Sequence, residues 1–160
     1  MLEIERKFLL KRLPIEPPSE VLLIKQWYMD VNGVMVRVRK VEFNDGSFDF
    51  IKTIKTPIDE MTYEENESQM LPKDFYDFVD ECLVSDNSYY IAKKRHIYVN
   101  DNDKWEVDQY LDFDLVVAEL EIPHKEYSFE IPEHIKDELI MEVTGKREFS
   151  NFSLSEKLND

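Results

Sequence analysis

Apolar and polar residues alternate with a two-residue period over most of the chain. This predicts extended runs at residues 2–10, 22–29, 34–40, 48–55, 62–70, 89–99, 104–111 and 116–122. Turn signals at 30–33, 44–46 and 100–103 join neighbouring runs tightly enough to imply antiparallel hairpins. Two segments switch to helical spacing. Residues 71–83 set Phe75, Phe78, Val79 and Cys82 on one stripe, and 132–140 open on a proline with Ile135, Leu139 and Ile140 on one face. Residues 153–158 read as a terminal helical turn. The prolines between Pro14 and Pro18 mark a loop, and no repeat or Ser/Gly-rich linker divides the sequence. The expectation is one mainly β (α+β) domain over 1–160: about eight antiparallel strands with a few flanking helices.

Residues two apart on a strand share a face, so the alternation also sorts the charges. Glu3, Glu5 and Lys7 fall together, as do Arg37 and Arg39, Thr53 and Lys55, Tyr63, Glu65 and Glu67, Lys93 and Arg95, Glu106 and Asp108, and Glu119 and Glu121. Any single pair of this kind is what the wet face of a sheet looks like. Here, however, signs are mostly alike along a strand and segregate between strands, and eight strands is a number that closes into a small barrel. If the charged face points inward, acidic and basic walls oppose each other. Close-packed carboxylates then call for cations among them, and hard ions such as Mg²⁺ or Mn²⁺ prefer oxygen ligands. Guanidinium and ammonium groups on the other wall suit a phosphate chain. The chemistry suggested is metal-assisted attack on a polyphosphate.

Composition sharpens this picture. Twenty Lys and Arg against 35 Asp and Glu leave a formal net charge of −15. That balance argues against extended nucleic acid or an anionic membrane as partner, and no apolar run reaches membrane-spanning length. The single cysteine, Cys82, fits a reducing, cytoplasmic setting, and the charged start carries no leader signature. With only three glycines and no phosphate-cradling glycine loop, any phosphate must be held by side chains. The three histidines lack metal-ligand spacing. Trp27 and Trp105 are expected to pack against helices outside the barrel rather than stack on a base.

The ordered set Glu3-Ile4-Glu5-Arg6-Lys7, Gln26-Trp27-Tyr28, Arg37-Val38-Arg39, Thr53-Ile54-Lys55, Glu65-Asn66-Glu67, Lys93-Lys94-Arg95, Glu106-Val107-Asp108 and Glu119-Leu120-Glu121 resembles the CYTH superfamily, the triphosphate tunnel metalloenzymes. The resemblance implies an eight-stranded antiparallel barrel tunnel and divalent-metal-dependent cleavage of a triphosphate, inorganic tripolyphosphate first. It implies Glu3, Glu5, Asp108, Glu119 and Glu121 as metal ligands. Lys7, Arg37, Arg39, Lys55, Lys93, Arg95 and, from the C-terminal segment, Lys146 would hold the substrate. Glu5, Lys93 and Asp108 would stand nearest the reaction, with Glu65, Glu67 and Arg147 in supporting roles. Two features depart from the family pattern: Tyr63 stands where many relatives place an arginine, and the segment from Gly145 to Asn151 aligns only with a one-residue shift. A class IV adenylate cyclase, a hydrolase of thiamine triphosphate, nucleoside triphosphate or RNA 5′-triphosphate, and a non-catalytic polyphosphate binder are the alternatives. A homodimer stays open.

Overall fold

The computed structural model describes residues 1–158. Nine strands follow in order: β1 (Leu2–Leu10), β2 (Glu20–Val31), β3 (Val34–Glu42), β4 (Phe48–Pro57), β5 (Thr62–Gln69), β6 (Ser88–Asn100), β7 (Asp103–Tyr110), β8 (Val116–Ile122) and β9 (Leu139–Glu142). Helix α1 (Pro72–Val84) separates β5 from β6, α2 (Glu133–Lys136) precedes β9, and α3 (Asn151–Leu158) follows a 3-10 turn at Arg147–Phe149. Neighbours run β5-β4-β3-β2-β6-β7-β8-β1, and β1 then pairs with β5, closing an eight-stranded antiparallel barrel.

The hairpins form where the turn residues require them. Asn32 and Gly33 both have positive φ, 53° and 84°, the signature of a two-residue turn whose twist matches its strands, and Val31 pairs with Val34 across it. Closure itself is brief: only Leu2, Ile4 and, between them, Glu3 meet β5, opposite Glu64, Thr62 and Tyr63. Beyond that seam the free edge of β1 needs partners for its peptide groups. This corrects the helix expected over 132–140. Helical structure covers only Glu133–Lys136, with Ile135 fully buried, after which Leu139–Glu142 turns to pair with Phe8–Leu10 as β9. Backbone demand at the β1 edge outweighs the helical spacing of Leu139 and Ile140.

The outer surface of the barrel is packed at two places. At one, Phe8, Trp105, Val107, Ala118 and Leu120 pack with Ile135 and Phe129. At the other, Phe75 of α1 sits edge-on to Trp27 at 5.6 Å and close to Phe50 at 4.9 Å. Trp27 and Trp105 therefore serve the outer packing, as expected. Inside, α3 caps one end of the barrel: Leu154 and Phe152 pack on Tyr28, Ile91, Tyr110 and Val117. Leu22, Ile24, Val41 and Ile97, on the inward parity of their strands, fill the other end on the β2, β3 and β6 side.

The link into α3 depends on one glycine. Gly145 has φ +76°, and a Cβ there would lie 2.7 Å from Cβ and 2.9 Å from the carbonyl oxygen of Glu60, in the β4–β5 turn. Gly145→Ala is expected to destabilise the protein by about 1–3 kcal/mol, since strain and clash add. Gly46→Ala, at φ +83° with nothing within 4 Å, carries the strain alone and should cost less. Thermal melts of the two variants side by side check the difference.

Candidate active site

Strand parity sends the sorted charges inward. Lys93 has no exposed surface, Asp108 retains 1%, Arg95 8%, and Arg37 and Glu119 9% each. A lysine at 0% cannot belong to a solvated face, so the reading of this pattern as an ordinary wet sheet fails. Registry brings the strands' charges side by side: Arg95 opposite Asp108, Lys93 opposite Tyr110, Glu106 opposite Glu119, Lys7 opposite Glu119, Glu5 opposite Glu121, and Lys55 opposite Glu65.

A web of contacts joins most of them. Arg95 grips Asp108 in a fork, at 2.8 and 2.9 Å, and reaches Glu106 at 3.1 Å. The second cation on Asp108 is the Lys93 ammonium, at 2.6 Å. Lys7 lies 3.3 Å from Glu119, and Lys55 lies 2.5 Å from Glu3 and 3.6 Å from Glu65. Burial would raise the acids of Asp108 and Glu119, but the cations outweigh it. Arg95 and Lys93 hold Asp108 far below the usual carboxylate range, and Lys7 heads the groups that bring Glu119 down to about 2. Burial, reinforced by nearby Arg95 and Arg39, pulls Lys93 down despite Asp108.

Two poles of this web are left over. Arg37 donates to Oγ1 of Thr53 at 3.1 Å, while its buried Nε has no partner. Arg39 donates to Oε1 of Gln26 at 2.9 Å, and Gln26 passes its own N–H to the Tyr28 hydroxyl. Neither arginine has a carboxylate partner among the described residues. Burial, with Arg37 and Arg95 alongside, pushes Arg39 down to about 9. At the opposite pole Glu5 has no cation within ion-pair distance among the described residues. Burial and then the Glu119 carboxylate raise it to about 7. Glu121, exposed at its end of β8, is raised by burial and by Glu3, Glu65 and Glu106. A surplus of buried positive charge thus faces a surplus of crowded carboxylate across one barrel.

Other expected site residues lie further out. Glu67 is exposed, and Lys146 and Arg147 stand exposed before α3, with no side-chain hydrogen bond or ion pair among the described residues. Both Asp108 oxygens are engaged by Arg95 and Lys93, which places this residue among the cations. Several wall residues carried no assigned role in the sequence. Gln26 is fully buried and aligned with Arg39, but as an uncharged residue it left no mark on the charge pattern. Asn151 enters from α3, where its Oδ1 accepts from Lys93 at 3.1 Å and from the Tyr110 hydroxyl. No local periodicity could have announced that contact.

Among the described residues no three carboxylates, histidines or cysteines converge as a ready-made metal cluster. The donor chemistry nevertheless suits a hard divalent ion beside Glu5, because two crowded carboxylates with a raised acid are what such an ion relieves. The sign of the pH effect follows. In the folded protein Glu5 keeps its proton from its ordinary value of 4.5 up to about 7. Its contribution to stability is therefore lost as pH rises through that window. Glu5→Gln is expected to flatten the fall in Tm between about pH 5 and pH 7 relative to the unsubstituted protein, both free of metal. Unchanged slopes would contradict the assignment.

Comparison with solved structures places the fold. The inorganic triphosphatase NE1496 superposes with a TM-score of 0.61 at 21% identity, covering 95% of this chain and 96% of its own. A Pyrococcus horikoshii protein matches at 0.59 and 16% identity over 78% and 80% of the two chains. A candidate adenylate cyclase from Bacillus halodurans matches at 0.51 and 15% identity, over 78% and 82%. No protein-family model and no curated protein sequence matches the chain. The fold they share with this chain includes, in this chain, the closed eight-stranded barrel that the sequence resemblance implies.

Proposed function

We propose that this chain is a divalent-metal-dependent triphosphatase of the CYTH kind, acting on inorganic tripolyphosphate inside the barrel. The observation that carries the reading is the pair Arg37 and Arg39: inward guanidiniums without carboxylate partners among the described residues, on the basic side of a barrel interior whose other side carries crowded carboxylates. Charge left unpaired in a low-dielectric interior is costly unless a ligand of opposite sign completes it. A small polyanion does this, and guanidinium forks match its oxygens.

In this reading Arg37, Arg39, Lys93 and Arg95 bind the phosphate chain, with Asp108 fixing the last two and Gln26 aiming Arg39. Lys7 and Lys55, now neutralising Glu119 and Glu3, turn to phosphate when it enters. That frees Glu3, Glu5, Glu119 and Glu121 to hold Mg²⁺ or Mn²⁺. The bound metal would supply Lewis-acid activation of phosphate and of a water. Glu5, whose acid burial and Glu119 raise to about 7, would yield its proton on taking up the metal and stand as a carboxylate ligand beside the reacting phosphate. The basic wall stabilises the charge that develops on the phosphoryl oxygens. Apolar side chains fill one end of the barrel and, on the β2, β3 and β6 side, part of the other, which leaves the charged middle to a compact, wholly polar substrate rather than one bearing a base.

The test is release of phosphate and pyrophosphate from tripolyphosphate, ATP and thiamine triphosphate, with and without Mg²⁺ or Mn²⁺, for the unsubstituted protein, Glu121→Gln and Lys93→Ala. Full activity in both variants would refute the site. Cyclic AMP from ATP would instead mark cyclase chemistry.

A further inference from the structure

Around the charged middle of the barrel, two phenols are already engaged. The Tyr28 hydroxyl accepts from Gln26, and the Tyr110 hydroxyl donates to Asn151. Tyr63 differs. It lies half-buried on β5, on the face shared with Glu65, and its hydroxyl makes no hydrogen bond among the described residues.

Its place is unusual. Tyr63 pairs with Glu3 across the short β1–β5 seam and with Pro57 on β4. The basic wall and the carboxylate wall meet there. The Lys55 ammonium rests over its ring, 5.0 Å from the centroid. Burial raises the phenol's acid, and Glu5, Lys7, Lys55 and Glu119 all lie close enough to bias it. A cation at this point would be captured by carboxylates, as Lys55 is by Glu3, and a carboxylate would repel an anion. A phenol does neither. It offers one O–H to an oxygen acceptor while leaving the surrounding charges free.

Building on the polyphosphate reading of the barrel interior, we propose that the Tyr63 hydroxyl donates a hydrogen bond to a phosphate oxygen of bound tripolyphosphate at the β1–β5 seam. Tyr63 is then a substrate-binding residue that selects by chain length. The arginines stand on β3, two strands from β5, a spacing of about 10 Å. An orthophosphate ion held by the guanidiniums does not span that gap. A triphosphate does, once the side chains on both sides reach inward.

Tyr63→Phe isolates the hydroxyl, because the ring remains under Lys55. Titration calorimetry in metal-free buffer, with tripolyphosphate and separately with inorganic orthophosphate, reads the effect. Tyr63→Phe is expected to weaken tripolyphosphate binding about tenfold, as for one hydrogen bond to a charged group. Orthophosphate affinity and Tm should stay as in the unsubstituted protein. Equal tripolyphosphate affinity in the two proteins would overturn the role of Tyr63, and so would equal weakening for both anions, which marks a merely structural effect. If the unsubstituted protein binds no tripolyphosphate, the polyphosphate reading fails and this inference with it. If Arg37→Ala abolishes binding while Tyr63→Phe leaves it intact, the polyphosphate site stands and Tyr63 has no part in it.

Discussion

Arg37→Ala is expected to weaken tripolyphosphate binding by about a hundredfold or more while leaving Tm unchanged or slightly raised. A forked guanidinium makes two charge-assisted hydrogen bonds to phosphate, each worth roughly 1.5–3 kcal/mol, so their joint loss is large. Without ligand the same group works against the fold. Arg37 retains 9% exposure, and among the described residues its Nε finds no acceptor and its side chain hydrogen-bonds only the neutral Thr53 hydroxyl. Removing an unpaired buried charge relieves desolvation that its neutral neighbour does not repay. Binding and stability therefore move in opposite directions, an outcome that distinguishes a ligand site from a structural ion-pair network. Calorimetric titration and thermal melts measure the two. Unchanged affinity, or a Tm lowered by several degrees, would remove Arg37 from the site.

Asp108→Asn should do the reverse. Asp108 is the only carboxylate within ion-pair distance of Lys93 among the described residues, and it also holds the fork of Arg95. Asparagine keeps the volume and loses the charge, leaving two cations buried beside Arg39. Breaking a buried pair in this way costs about 3–5 kcal/mol, which for a chain of this size is a fall in Tm on the order of 10 °C. The acid limb should change as well. Arg95 and Lys93 hold Asp108 far below its ordinary 3.8 against the pull of burial. Its stabilisation is therefore fully present above that value and is lost only as pH falls further. The variant lacks that loss. Added tripolyphosphate should recover more Tm in Asp108→Asn than in the unsubstituted protein, because the anion replaces the missing negative charge. A variant melting like its parent would show that Asp108 does not organise the cations.

Much of the barrel was legible along the chain. The runs at 2–10 and 116–122 coincide with β1 and β8, and the other six differ by a few residues at their ends. Side-chain parity needs no tertiary knowledge, so the companions of Glu5, Arg37 and Lys93 on each face were also readable. The stretch at 132–140 was not. Its helical spacing is real as far as Ile135, but Leu139 and Ile140 answer to the unpaired edge of β1, more than 120 residues earlier in the sequence. Contacts such as Asn151 with Lys93 and Tyr110 join segments 58 and 41 residues apart, and no local pattern encodes them.

By itself the sequence determined the strands, their turns and the two sets of residues on either face, because backbone geometry imposes a period of two on any strand. It could not determine which face is dry. A one-sided sheet with a wet face and a closed barrel with a charged interior share the same alternation. The three-residue seam between β1 and β5 decides between them, and it depends on bringing together residues about sixty apart. Once closed, the barrel desolvates the charged face, and each acid and base must pair with a neighbour, shift its proton affinity or await a ligand. The pairing that leaves Arg37, Arg39 and Glu5 over is a property of the closed barrel alone.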